Sequence, residues 1–360
     1  MDLNFTTKSV EINGQNHRIL LQNENGPCAL LALANVLILS QNHTQFSHEL
    51  IKLVNKRNGI LLRRLIEVLA DIGLQLTDKA GTDISELLTL LPQLHKGLNV
   101  NPEFNGSFED SKEMAIFRLF NVDLVHGWVI NDSINKTSNE KLSHYSYESA
   151  QRTLMQAADI TSGTLKEDNS EEILEEAIHI RSFLNESPTQ LTDFGLQQLR
   201  EKLPHCQYSV LFRNDHFSTL YKYKDQLYTL VTDFGYKNCK EIVWQSLNSV
   251  NGSGDVFYAG DFSCAKVDEQ ELPDEVGHTF GAENLSLEEA LQIENDKELA
   301  KNLQQQEQER VTKLETKRKN RHPKKNLQME PPVKKETFKE KNTFAKTRRS
   351  ETPKRECIVM

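Results

Sequence analysis

Cys28 follows Gln22-Asn23-Glu24-Asn25-Gly26-Pro27 and opens an apolar run that lasts to Ser40. A helix N-terminus favours the thiolate, a neighbouring histidine favours it further, and the thiolate is the attacking species. A cysteine hydrolase would place its nucleophile there. Among the eleven histidines, His216 lies in Phe212-Arg213-Asn214-Asp215-His216-Phe217-Ser218, at the seam between two strand-like runs. A base on a strand end facing the start of a helix can reach the thiol. Asp233 closes Leu230-Val231-Thr232-Asp233 and is a candidate orienter of that imidazole, or simply a turn-former ahead of Gly235. Gln22, six residues before Cys28, carries an amide that can donate to an oxyanion, a contribution on the order of 3 kcal/mol. Each has a plainer alternative: a small buried hydrophobe for Cys28, a turn-bonded hairpin residue for His216, a polar strand end for Gln22.

The elements that must hold these residues are legible in outline. Val10-Glu11-Ile12, the Asn13-Gly14 turn and Arg18–Leu21 read as a hairpin, because Asn-Gly supplies the positive φ angles. Pro27 to Ser40 reads as an apolar helix with Pro near its first position. Amphipathic helices are expected near 45–57 and 60–72, another from Asp83 with Glu86 completing a capping box, and more over 171–185 and 191–203. Residues 129–145 and 158–170 read as loops. Tyr208–Arg213, Phe217–Tyr223 and Gln226–Val231 are strand-like, the last two joined at Lys224-Asp225. Helices first and clustered strands later predict an α+β fold. A cysteine at a helix start with a histidine later on the sheet is the arrangement of papain-like hydrolases.

Composition narrows the field. The chain has 360 residues, 43 Lys+Arg and 52 Asp+Glu, for a net charge of −9. Residues 311–360 hold 16 basic and 6 acidic residues, leaving 27 basic and 46 acidic before them. An acidic body thus carries a basic, proline-containing tail whose low hydrophobicity predicts disorder. No apolar run approaches the roughly 18 residues of a membrane span, and the start Met1-Asp2-Leu3-Asn4 lacks a secretory pattern. Five cysteines with no CxxC spacing disfavour a disulfide framework or zinc ribbon and fit a reducing compartment.

Several segments together carry a family resemblance. Gln22 through Ala32, His126-Gly127-Trp128, Phe212 through Thr219, Leu230 through Asp233, Val243-Trp244-Gln245-Ser246-Leu247 and Asp261-Phe262 resemble, in order, the active-site blocks of the MINDY deubiquitinases, with a fungal-type member the nearest in character. The resemblance spans roughly residues 15–263. It implies a papain-like cysteine peptidase with a helical lobe that cleaves lysine-48-linked polyubiquitin and favours long chains, without metal or cofactor. It makes Cys28 the nucleophile, His216 the general base and Gln22 the oxyanion residue, and it puts Trp128 and Phe212 where the family contacts ubiquitin. Ala29 stands where members often have Pro, and the turn after Asp233 varies in the family, leaving the third catalytic member open.

The expected domains are a catalytic region over 1–265, an acidic linker over 266–284, a helix over 285–314 and a disordered basic tail over 315–360. Within the helix, Glu294 to Gln304 resembles an inverted ubiquitin-interacting motif, with Ala300 lying flat on an apolar patch and Leu299 and Leu303 flanking it. A generic charged surface helix is the alternative. Cys357-Ile358-Val359-Met360 fits a CaaX prenylation box, and the basic residues upstream supply the second signal that stable anchoring needs. The reading is therefore a monomeric cytoplasmic deubiquitinase held at a membrane face. Its rivals are a non-catalytic ubiquitin-binding adaptor and a nucleic-acid-associated protein. The tail's two phenylalanines give the last little support, so no nucleic-acid partner is expected.

Overall fold

A computed structural model describes residues 3–266 apart from 24–26, 57, 81–88, 96 and 132–140. The helix expected from Asp83, the ubiquitin-interacting helix with Leu299, Ala300 and Leu303, and the tail with Cys357 lie outside the described residues. Strands β1 (Asn4–Ile12) and β2 (Gln15–Leu20) form the expected hairpin around Asn13 (φ 50°) and Gly14 (φ 76°). They make a three-stranded antiparallel sheet, ordered β2-β1-β3, with β3 (Gly59–Leu61), a short strand the sequence reading missed. A second sheet runs β4-β5-β6-β7-β8-β9: β4 (Leu124–Val125), β5 (Tyr208–Arg213), β6 (His216–Tyr223), β7 (Gln226–Leu230), β8 (Trp244–Ser246) and β9 (Phe257–Tyr258). Only the β4–β5 pair is parallel. The mixed helix-and-sheet architecture is α+β.

Helix α1 (Cys28–Leu39) is buried along nearly its whole length. It is apolar on every side because it fills the space between the two sheets, the position such a helix requires. Ile19, Leu20 and Leu21 pack around it with Leu30, Leu33 and Leu37, and so do Phe217 and Tyr221 of β6. Helices α2 (Thr44–Lys56) and α3 (Leu62–Ala80) cover this core with amphipathic faces. Helix α3 runs well beyond the expected 60–72. Lys8 on β1 is buried too, and its ammonium donates to the Ile242 carbonyl at 2.6 Å, which fastens the first sheet to the loop before β8. Burial pushes that lysine down to about 8.

Helix α4 (Lys112–Leu119) adds Ile116 and Phe117 to the main core, and a helical lobe is built from α5 (Tyr147–Ser162) and α6 (Ser170–Glu186), followed by α7 (Asp193–Lys202). Helix α5 corrects the loop expected over 158–170. Ala150, Thr153 and Ala157 form a small-residue stripe that packs α5 against Ile173 and Ala177 of α6, and the helix continues to Gly163, whose φ of 78° ends it. None of the described helices is long and apolar enough to cross a membrane.

Candidate active site

The site forms where the two sheets meet. Strand β2 is an edge strand, and its continuation finds its partner in the other sheet. The Gln22 backbone N–H donates to the Thr232 carbonyl at 2.7 Å and the Phe234 backbone N–H donates to the Gln22 backbone carbonyl at 3.1 Å, a parallel bridge between Gln22 and Asp233. The β6–β7 pairing, from Tyr223 opposite Gln226 to Leu220 opposite Thr229, runs toward the end of the sheet at which β6 begins with His216 and from which β7 leads on to Asp233. Gln22, Asp233 and His216 thus share one end of the sheet system. Cys28 comes six residues after Gln22 as the first residue of α1, half-buried and with a free thiol. Pro27 precedes it at the cap, where a missing N–H costs nothing.

Helix α1 is fastened to both sheets. Asn35, fully buried, is the sole polar side chain in the apolar stretch 29–39. Its Oδ1 accepts from the Leu20 amide at 2.8 Å and its Nδ2 donates to the Leu20 carbonyl at 3.0 Å. From the second sheet, Thr219 of β6 donates to the Ala32 carbonyl at 3.2 Å. The nucleophile's helix is thereby tied to the Gln22 strand and to the His216 strand.

His216 follows Asn214 and Asp215, both with positive φ (51° and 56°), in the tight turn between β5 and β6. Gln190 accepts from the Asn214 amide at 2.9 Å, and Arg213 donates from Nε to the Thr189 carbonyl at 3.0 Å and from its terminal nitrogen to the Val250 carbonyl. The turn is thus braced from two neighbouring loops. Surrounding protein lowers the His216 pKa below the ordinary histidine value, which favours the neutral ring. No hydrogen bond joins Cys28 Sγ to His216 among the described residues; such contacts commonly tighten only when substrate is bound.

The remaining sequence candidates take other places. The Asp233 carboxylate accepts from the Gly235 amide at 2.7 Å and caps the short helical turn after it, so the turn-forming alternative describes its contact. Trp128 and Phe212 are buried at 4% and 5% exposure. Trp128 sits among Phe104, Phe183 and Tyr147 and donates to Ser187 Oγ at 2.7 Å. Phe212 packs on Phe108 and Phe217. Both belong to the packing beneath the surface in this conformation. Trp128 instead helps to hold Ser187, three residues before the Gln190 that braces the histidine turn.

The His126-Gly127-Trp128 segment is a joint. His126 Nδ1 accepts from the Trp128 amide at 3.2 Å, which leaves Nε2 to donate to the Ser107 carbonyl at 2.7 Å. The ring is therefore neutral, and burial holds its pKa down at about 4. Gly127 and Gly195 approach so closely that a Cβ on Gly195 would lie 1.9 Å from the Gly127 carbonyl oxygen. Thr192 caps α7 at that contact, accepting from the Gly195 amide and donating to the Val129 carbonyl. Sequence reasoning missed Asn35, Gln190 and Gly195. For Asn35 the signal was available, a lone amide inside a wholly apolar helix.

A half-buried cysteine at the start of a helix clamped between a glutamine-bearing strand and a histidine-bearing strand is a site suited to hydrolysis through a thiol. Residues 3–262 match the family model of the MINDY deubiquitinases, and the chain belongs to that family. It is 69% identical over all 360 residues, and over the whole of both chains, to ubiquitin carboxyl-terminal hydrolase MIY1 of Saccharomyces cerevisiae. Human ubiquitin carboxyl-terminal hydrolase MINDY-2 is 33% identical over 261 residues, 69% of this chain and 39% of that one. Rat MINDY-1 is 32% identical over 321 residues, covering 85% of this chain and 61% of the relative. The protein is a deubiquitinase.

Proposed function

We propose that the protein is a papain-like, cysteine-dependent hydrolase of isopeptide bonds in lysine-48-linked polyubiquitin. The observation that carries the cysteine mechanism is the placement of Cys28 at the head of a helix hydrogen-bonded both to the Gln22 strand and to the His216 strand. Neutral His216 takes the thiol proton as the thiolate attacks the isopeptide carbonyl. The Gln22 amide donates to the oxyanion of the tetrahedral intermediate, and His216 returns the proton to the departing lysine amine. A water deprotonated by the same ring then releases the acyl group from sulfur. Asp233, occupied by Gly235, is not needed as a carboxylate partner for the ring in this scheme.

Because protein surroundings lower the His216 pKa, its neutral form persists below pH 6.5, the ordinary histidine value. The acid limb of kcat/KM should therefore fall below that pH; a limb above it would assign the base elsewhere. The linkage and the preference for long chains are tested by incubating the full chain with all polyubiquitin linkages and lengths. Equal cleavage of every linkage would remove the lysine-48 assignment. In the same proposal Leu299, Ala300 and Leu303 bind ubiquitin and raise its local concentration at the site. The monomer meets a cytoplasmic membrane face through a prenyl group on Cys357 and the basic tail. Cys357→Ser should release it from membranes and leave cleavage in solution unaltered. The adaptor alternative predicts no reaction of Cys28 with a C-terminally reactive ubiquitin.

A further inference from the structure

Asn35 lies far from the bond being cut, and on the assignment of Gln22 as oxyanion donor we infer that it is a positioning residue for catalysis. The geometry around Leu20 is specific. The Leu21 amide donates inward to the Thr6 carbonyl at 2.9 Å, so the Leu20 amide and carbonyl point to the open side of β2. Along that side the backbone at Gln22 is taken by Thr232 and Phe234 of the second sheet. At Leu20, no strand pairs among the described residues, and the Asn35 carboxamide supplies both the acceptor and the donor that a neighbouring strand residue would.

One side chain on the second turn of the nucleophile's helix therefore completes the edge two residues before Gln22. The contact is dry, since Asn35, Leu20 and Leu21 are all fully buried. It couples two elements otherwise held by apolar packing, which specifies separation but leaves sliding along the contact weakly opposed. A pair of hydrogen bonds to one residue fixes that slide. Asn35 thereby sets the register of Cys28 at the head of α1 against Gln22 at the end of β2. Rates respond steeply to sub-ångström changes of that kind.

The test compares Asn35→Leu, Asn35→Asp and Gln22→Ala, singly and combined, in the full chain. Asn35→Leu removes both bonds at similar volume. Asn35→Asp keeps the acceptor for the Leu20 amide while setting a carboxylate against the Leu20 carbonyl, and it serves if the first variant fails to fold. Each Asn35 variant is expected to lower kcat for polyubiquitin cleavage by about tenfold or more with KM little changed. Alkylation of Cys28 by iodoacetamide, followed by site-resolved mass spectrometry, needs the thiol but no oxyanion donor and should stay within about twofold of wild type. In the Gln22→Ala background the Asn35 substitutions should cost no more than about twofold further, since they act through the same amide.

Losses that add in full, or a parallel fall in kcat, alkylation and folded fraction, would make Asn35 a packing residue and overturn the proposal. A Gln22→Ala enzyme with undiminished kcat would instead fail the oxyanion assignment itself, visible in that single variant, and take the proposal with it.

Discussion

The β5–β6 hairpin carries a histidine near each of its two ends, and only one of them stands in the proposed site. At the turn end, His216 lies at the end of the sheet from which β7 leads on to the Gln22–Asp233 bridge, and the turn before it is braced by Arg213 and Gln190. At the open end, exposed Cys206 sits beside His205 with Sγ 2.9 Å from Nδ1, the Cys206 backbone at a φ of 60°. Among the described residues, the close pair's cysteine heads no helix, while the pair assigned to catalysis makes no direct hydrogen bond. Contact between a cysteine and a histidine is thus a poor guide to a hydrolase. What distinguishes the turn end is the scaffold, a helix terminus and two strand ends with fixed relative register.

The sharpest way to break this contrast is to remove each sulfur in turn. Cys28→Ala should cut polyubiquitin cleavage by at least about 10⁴-fold, and Cys206→Ala should leave it unchanged, both followed by gel densitometry. The reverse result would hand the chemistry to the open end. Gln22→Ala tests whether the neighbouring strand adds more than position. A kcat lower by roughly 10²–10³-fold is expected from the loss of one oxyanion donor, and a loss confined to KM would contradict it.

The braces behind the turn end are probed by stability. Gly195→Ala drives a Cβ into the Gly127 carbonyl, and a loss of about 2–4 kcal/mol in chemical denaturation is expected. An unchanged midpoint would show that the joint yields. His126 gives the smallest contrast, and one that depends on pH. Its pKa is lowered to about 4 in the folded chain and near 6.5 when unfolded, so below 6.5 the unfolded state binds the proton first. Its contribution is complete above pH 6.5 and is lost as pH falls to 4, for a total on the order of 3 kcal/mol. His126→Gln should flatten that part of the stability profile. A slope unaffected by the substitution would point to other groups.

Much of the catalytic half was legible before any coordinates. The apolar helix and β5, β6 and β7 emerged within a residue or two, and the Asn13-Gly14 turn was placed correctly although β1 and β2 begin six and three residues earlier than expected, because turn chemistry and apolar periodicity are local signals. Strands β3, β4, β8 and β9 did not, being two or three residues long and defined by distant partners. Helix α5 was missed from its start at Tyr147, because its buried positions are alanine and threonine, too polar in aggregate to read as a core face. Trp128 and Phe212 show the limit of motif matching. A motif marks where a family keeps a residue, and burial then decides whether that residue touches a partner or supports the surface that does.

The pairing of Gln22 with Asp233 also has a temporal side. Its two strands are encoded about 210 residues apart, and closing so long a loop must precede the contact. The Lys8 bond to Ile242 spans 234 residues and belongs to the same late event. During synthesis the nucleophile and its helix leave the ribosome early, but the strand that seats Gln22 stays unpaired until the segment beyond β7 has emerged. On the proposed mechanism a nascent chain therefore carries Cys28 and Gln22 before the segment that seats Gln22 and before His216, and competence to cut ubiquitin arrives only with the near-complete catalytic region.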